Sequence, residues 1–532
     1  MSSVDSVLLI RGGTLLAGTD LVQRDGEAIA VRGQRIAWIG PDDQIPSWAA
    51  AATSIDASGM TILPGLIDAH AHVEGLGTAL DTVDLVGTTS VAEIASRVRE
   101  AVTSAPAGSW ILGRGWDQND WAVREFPNAT DLDAASAGHP VWLSRIDGHA
   151  GLANTAAIRA AGITSSTPDP AGGRILRDGR GNPTGVFIDS AMNYIDAVVP
   201  PPSRKLRKER IAEAAAAIAS RGLTAVHDAG VDQQAIQLMR ELVDEGKLPI
   251  RVYALLGDDD DLVQSWLERG PLLDYGNALT VRSIKLYADG ALGSRGAALL
   301  APYSDDPGNE GLLLSTAEHV ESRARHAVER GFQIGTHAIG DRAVRLVLEA
   351  YRRAGVQPEH RFRIEHLQVV APEDFAPLAS RGIIASMQPT HATSDMPWAE
   401  RRLGPERVKG AYAWRTVLDS GGRLALGSDF PVESVDPFLG LYAAVTRMDL
   451  DGHPAGGWMA DEKLSIREAV RGFSLDAAWA AFEEKDRGSI EVGKFADFTI
   501  VEGNPMSADP STLPETRVRY TIVNGRLVHS AP

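Results

Sequence analysis

Through the middle of this chain, short apolar runs alternate with stretches whose apolar residues recur at helical spacing. Eight runs read as strands: 61–72, 223–228, 250–256, 279–287, 332–337, 362–366, 383–388 and 423–429. Amphipathic segments such as 317–330 and 343–354 lie between several of them. Strands alternating with helices build βα units and a parallel sheet, and eight such units close as a (β/α)8 TIM barrel. The first sixty residues differ, with short β-rich segments at 6–10, 28–31 and 35–39 separated by glycine-containing turns. The segments at 488–493, 497–501 and 518–523 look alike. Neither end is long enough for a sandwich of its own, so the pattern predicts one small β-sandwich domain built from 1–60 plus 485–532. The α/β barrel is then expected at 61–79 plus 209–484. The interval between the first and second strand runs far exceeds one helix. We expect a folded insertion at 80–208 that lies over the barrel mouth.

A length of 532 residues requires more than one core, and 44% hydrophobic with 23% charged residues is a globular composition. The net charge of −18 argues against nucleic acid as a partner, which needs basic clusters. With no cysteine, thiolate nucleophiles, disulfides and Cys-ligated zinc are excluded, leaving His, carboxylate or a modified lysine for any transition-metal site. No stretch is long and apolar enough to span a membrane, and the first residues lack a signal-peptide pattern, so a cytoplasmic protein is expected.

The chemistry concentrates at the ends of the strand runs. Asp68-Ala69-His70-Ala71-His72 closes the first, and residues i and i+2 of a strand share a face, so the two imidazoles can clasp one metal ion. The fourth run carries Lys285, the fifth ends in His337, the sixth in His366 and the eighth in Asp429. Strand ends of a TIM barrel converge on the face where active sites sit. Imidazole and carboxylate there suit zinc or a similar divalent ion, with manganese, iron and cobalt as alternatives.

Several longer stretches carry a resemblance. They are Pro64-Gly65-Leu66-Ile67-Asp68-Ala69-His70-Ala71-His72, the segment from Lys285 through Asp289 to Arg295, and Thr336-His337 with Asp341-Arg342. Arg363-Ile364-Glu365-His366 with Gln368, Gln388-Pro389-Thr390-His391, Gly427-Ser428-Asp429 and the closing 488–497 continue the series. In this order they resemble the amidohydrolase superfamily, and within it amidohydrolase family 3, which includes N-substituted formamide deformylases. The resemblance implies that His70, His72 and Asp429 hold the more buried metal and that His337 and His366 hold a second. Lys285 would bridge the two as a carbamate formed with CO2; unmodified, it leaves a single-metal site. The implied reaction is hydrolysis of a C–N bond in a small amide-type substrate, an N-substituted amide or formamide. Metal coordination lowers the pKa of water toward about 7, and Asp429 would act as base and then as acid. A homodimer is also implied.

Further candidates are softer. His149, in the insertion, is a candidate donor to the substrate carbonyl and His391 a candidate at the mouth; each has an ordinary structural alternative. Trp116 (with Trp142), Asp289 and Arg295 are candidate substrate contacts, the last two alternatively fixing their loop. His227 is at most a residue behind the ligands. Glu365 would point away from His366 on a regular strand, and the acidic run 258–261 reads as a solvated loop. The same site suits an ester, a carbamate or a cyclic amide, and an inactive scaffold is the reading from another class.

Overall fold

The computed structural model describes residues 6–531. Its central feature is a run of parallel strands in sequential order: β1 (Leu66–Ala71), β2 (Leu223–Val231), β3 (Arg251–Leu256), β4 (Leu279–Tyr287), β5 (Gln333–Ala338), β6 (Arg363–His366), β7 (Ile384–Met387) and β8 (Arg423–Leu426). Each pairs with the next. β1, β3, β5, β6 and β7 are buried at every residue, as expected of strands covered on both faces. The seam between β8 and β1 is bridged by hydrogen bonds: the Ser428 amide and hydroxyl donate to the Asp68 carboxylate, and the Asp429 amide donates to the His70 carbonyl at 2.7 Å. The fold is a TIM barrel with additional β sheets.

Helices pack around the sheet, and their ends are locally encoded. The helix Ala317–Arg330 starts where the Thr316 hydroxyl accepts from the His319 amide and ends at Gly331, whose φ of 73° suits glycine. Asp341–Arg353 follows β5 and buries Val344, Val347 and Leu348 on one side.

The run at 61–72 is not one strand. Met60–Pro64 pairs antiparallel with Phe498–Glu502 and parallel with Thr14–Ala17, in a six-stranded sheet drawn from both chain ends. Pro64 has no N–H for a continuing ladder. At Gly65 a Cβ would sit 2.4 Å from Thr224 Oγ1, so the chain turns close against β2 before β1 begins. A four-stranded sheet from the first sixty residues faces the six-stranded one across a core that includes Ile10, Ile29, Ile62, Phe498 and Ile522. Arg251 ties this unit to the barrel: its guanidinium meets the Asp497 carboxylate at 2.8 Å, with both side chains buried.

Between β1 and β2 the chain builds a second six-stranded sheet, with strands that include Ile111–Trp116, Val141–Arg145, Ala150–Ala153 and Pro183–Asp189. It has its own core around Trp116, Leu143 and Val186. The acidic run at 258–261 is more than a solvated loop. Asp259 caps the helix Asp260–Arg269 and Asp258 pairs with Arg323 at 2.8 Å.

Candidate active site

The carboxyl ends of the barrel strands open into a cavity of about 880 Å³, walled on the far side by the insertion. His72, Lys285, His337, His366 and Asp429 line it from the barrel, His391 from the segment after β7, and His149 from the insertion.

The tautomers at the end of β1 follow from hydrogen bonding. His70 Nδ1 lies 2.6 Å from Glu365 Oε2, and His72 Nδ1 lies 2.9 Å from the Ala229 carbonyl oxygen. A carbonyl only accepts, and so does an ionised carboxylate, so both Nδ1 atoms carry protons and both Nε2 atoms present lone pairs. Those lone pairs face a carboxylate: Asp429 Oδ1 is 3.0 Å from His72 Nε2 and 3.6 Å from His70 Nε2. Lys285 Nζ meets the His70 lone pair at 3.0 Å, but the His72 lone pair and the carboxylate oxygen repel one another unless a proton or a cation stands between them. Nitrogen and oxygen donors in this arrangement suit a divalent cation. Burial pushes the His70 pKa down to about 4, aided by the Lys285 charge, which keeps the imidazole neutral as a ligand must be. Burial opposes ionisation of Asp429, but a proton held on the His72 side and positive charge on the neighbouring imidazoles outweigh it and hold the carboxyl well below the usual range, the place a cation would take.

Glu365 is the main correction to the sequence reading. It does not turn away from the site. His366 and Leu367 have φ of 72° and 45°, so the backbone leaves the regular β pattern at the end of β6. Glu365 shares a face with Arg363 two residues earlier and reaches His70, while the left-handed backbone brings the His366 ring to the same place, 4.7 Å from that of His70, centroid to centroid. Glu365 is fully buried and meets Arg363 Nε at 2.8 Å. Burial alone would raise its pKa, but Arg363 and His70 hold it strongly down, so it remains the anion that orients His70. His227 stands behind these residues, its Nδ1 2.8 Å from Arg363.

His366 Nδ1 bonds Gln388 Oε1 at 2.9 Å, and His337 Nε2 faces the Gly290 carbonyl at 3.4 Å. Their ring centroids are 4.7 Å apart. Among the described residues, ligand-type atoms come within 4.8 Å of one another in two groups, His70–His72–Asp429 and His366–His391–Asp429. His391, rather than His337, thus completes the second group. Lys285 is buried with its Nζ 3.0 Å from His70 Nε2, and burial lowers its pKa to about 8.

Three candidate substrate contacts lie elsewhere. Trp116 is wholly buried in the insertion core, where its indole N–H donates to the Leu143 carbonyl. The Asp289 carboxylate is consumed by the amides of Ala298, Ile339 and Gly340, which makes it a brace for the loops after β4 and β5. Arg295 pairs with Asp305 at 3.0 Å, away from the cavity wall. Their positions favour the structural alternative in each case. Trp142, likewise, packs on Phe187 and donates to Asp196.

The comparisons with known proteins agree with this geometry. Residues 53–529 match the model of the amidohydrolase family. The chain belongs to the amidohydrolase family. It is 35% identical over 487 residues to the putative amidohydrolase YtcJ of Bacillus subtilis, covering 89% of this chain and 90% of that protein. It is 29% identical over 521 residues to the N-substituted formamide deformylase of Arthrobacter pascens, covering 94% of each. An uncharacterized metal-dependent hydrolase from Pyrococcus horikoshii superposes with a TM-score of 0.77 at 26% identity, covering 95% of this chain and 99% of that one. As a member of that family, this enzyme is a hydrolase.

Two more residues take part: Gln368, which the sequence places in a motif without a role, and Asp189, which it does not single out. Gln368 Nε2 lies 3.1 Å from His391 Nδ1. The Asp189 carboxylate lies 2.6 Å from His149 Nδ1, and although burial disfavours the charged ring, that bond and the Asp189 charge raise the His149 pKa to about 9. No periodicity marks Asp189, and an aspartate at the end of a segment has no signal of its own.

Proposed function

We propose that this enzyme hydrolyses the C–N bond of a small amide-type substrate, an N-substituted amide or formamide. The observation that carries the reading is the pair of Nε2 lone pairs of His70 and His72 turned on the Asp429 carboxylate at one end of the cavity. His70, His72 and Asp429 would hold one cation, zinc by the chemistry of the donors. His337 and His366, whose ring centroids lie 4.7 Å apart, would hold a second, with Lys285 as a bridging carbamate, and His391 is left to the substrate. Bound there, a divalent cation supplies a Lewis acid and lowers the pKa of water toward about 7.

The remaining chemistry belongs to side chains. Asp429 Oδ2 lies 3.7 Å from His391 Nε2 and 3.9 Å from His366 Nδ1. From there Asp429 accepts a proton from the attacking water and returns it to the departing nitrogen, acting as base and then as acid. His149, held protonated at both nitrogens by Asp189 at its Nδ1, directs Nε2–H to the substrate carbonyl oxygen and stabilises charge developing on it. His391 has a buried Nε2 without a hydrogen-bond partner and orients the amide beside Asp429. The insertion wall limits water and shapes the substrate's side group. The similarity to an N-substituted formamide deformylase supports the amide class over esters.

The experiment is a substrate panel on metal-loaded enzyme: N-substituted formamides, acetamides, a carbamate, a lactam and matched esters. The reading expects the highest kcat/KM on an acyclic amide. Faster turnover of the esters or of the lactam would replace it.

A further inference from the structure

We propose that Asp189 is a positioning residue for His149, fixing the imidazole so that its second nitrogen faces the reacting carbonyl. This rests on the amide-hydrolysis reading above and adds to it a residue of the insertion that acts through His149.

The two residues stand side by side at the end of the insertion sheet. Pro183–Asp189 pairs antiparallel with Ala150–Ala153, and the Asp189 amide donates to the His149 carbonyl at 3.0 Å. The carboxylate then bonds the same residue's side chain, with Oδ1 2.6 Å from Nδ1. A ring held at Nδ1 by an acceptor carries its other nitrogen outward, here along the cavity wall. His149 lies over His337, with 5.1 Å between ring centroids. That puts it beside a candidate metal ligand.

What sets Asp189 apart from an ordinary strand terminus is its cost. Its φ of 48° is one that side chains other than glycine rarely adopt. Its side chain is 1% exposed, and its second oxygen, Oδ2, is buried without a hydrogen-bond partner. The barrel loop after β4 makes room for it with glycines. A Cβ at Gly290 or Gly296 would lie 2.7 Å from Oδ2. Gly290 also presents its carbonyl to His337 at 3.4 Å, so one residue separates the carboxylate from a candidate metal ligand. A strained, desolvated carboxylate whose bonded oxygen serves one imidazole is the arrangement used to fix a histidine's tautomer and direction.

The test uses the full-length, metal-loaded enzyme with formanilide as the probe. Asp189→Asn is nearly isosteric, Asp189→Ala removes the acceptor, and both are compared with His149→Ala and the His149→Ala/Asp189→Asn double variant. We expect Asp189→Asn to lower kcat about 10- to 100-fold with KM little changed. The double variant should be no slower than His149→Ala alone, because Asp189 acts through that ring. Wild-type kcat in Asp189→Asn, or losses that multiply in the double variant, would overturn the proposal. A second measurement does not need turnover. In protein labelled with 15N-histidine, the strongly downfield Nδ1 proton of His149 should be present in the wild type and absent in His149→Ala and Asp189→Ala. Its absence from the wild type would overturn the positioning. If the wild type hydrolyses no amide but shows this proton, the functional reading fails and the positioning stands.

Discussion

The backbone amide of Asp429 donates to the carbonyl of His70 at 2.7 Å, so the bond that closes the barrel also sets the spacing of two candidate metal ligands. The His72 amide donates to the Phe430 carbonyl at 2.9 Å, continuing the seam, and Ser428 is anchored on Asp68. Asp429 itself has a φ of 62°, which turns its side chain back across the strand ends. Barrel closure and site assembly are therefore one structural event.

Gly427 is the tightest point of that seam. A Cβ there would lie 2.5 Å from Asp68 Oδ1 and 2.6 Å from the His70 amide nitrogen, neither of which can give way without moving β1. Gly427→Ala is expected to cost about 1–3 kcal/mol of stability and to lose bound metal. Thermal unfolding and elemental analysis of the same preparation check both. A variant with wild-type melting and full metal would show that the seam does not set the ligand spacing.

Glu365 holds His70 from the far side of the site. Glu365→Gln keeps the shape but removes the anion between Arg363 and His70. Metal affinity should fall about 10- to 100-fold, measured by competition with a chelating dye. Unchanged affinity would leave Glu365 as a partner of Arg363 alone.

Asp429→Asn keeps the backbone bond to His70 and removes the carboxylate. Turnover should fall by more than about 100-fold in protein whose circular dichroism matches the wild type. Wild-type turnover in a metal-loaded Asp429→Asn enzyme would exclude Asp429 as the proton carrier.

Much of this was legible because barrels write themselves as apolar runs: all eight strands fall on such runs, and five of the runs carry His70 and His72, Lys285, His337, His366 and Asp429 in chain order. The division of 61–72 into two strands was legible in principle at Pro64. That Glu365 and His366 reach the same site was not, since it depends on left-handed backbone at His366 and Leu367 that no residue type announces. Asp289 and Arg295 sit in a motif beside Lys285, yet their side chains are taken up by loop amides and by Asp305, and only the tertiary fold reveals that.

The joint between the barrel and the terminal sheets carries a pH-dependent contribution. Burial disfavours the Asp497 charge, but Arg251 and the Asn524 amide more than compensate, and its pKa in the folded state is lowered. The stabilisation is thus complete above the unfolded carboxylate value of about 3.9 and is lost as pH falls through the lower folded value. Asp497→Asn should cost about 3–5 kcal/mol near neutrality. In thermal unfolding scans the gap to wild type should narrow only in acid. A gap that is constant with pH would mean that packing, not charge, holds the joint.

The most direct test of the account is metal content per chain, by elemental mass spectrometry on protein purified without chelator and on the same protein stripped and reloaded. We expect about two equivalents of divalent metal, lost on chelation together with activity and restored with it. Protein that holds no metal as purified and takes up none on reloading would contradict the assignment of His70, His72 and Asp429 as ligands.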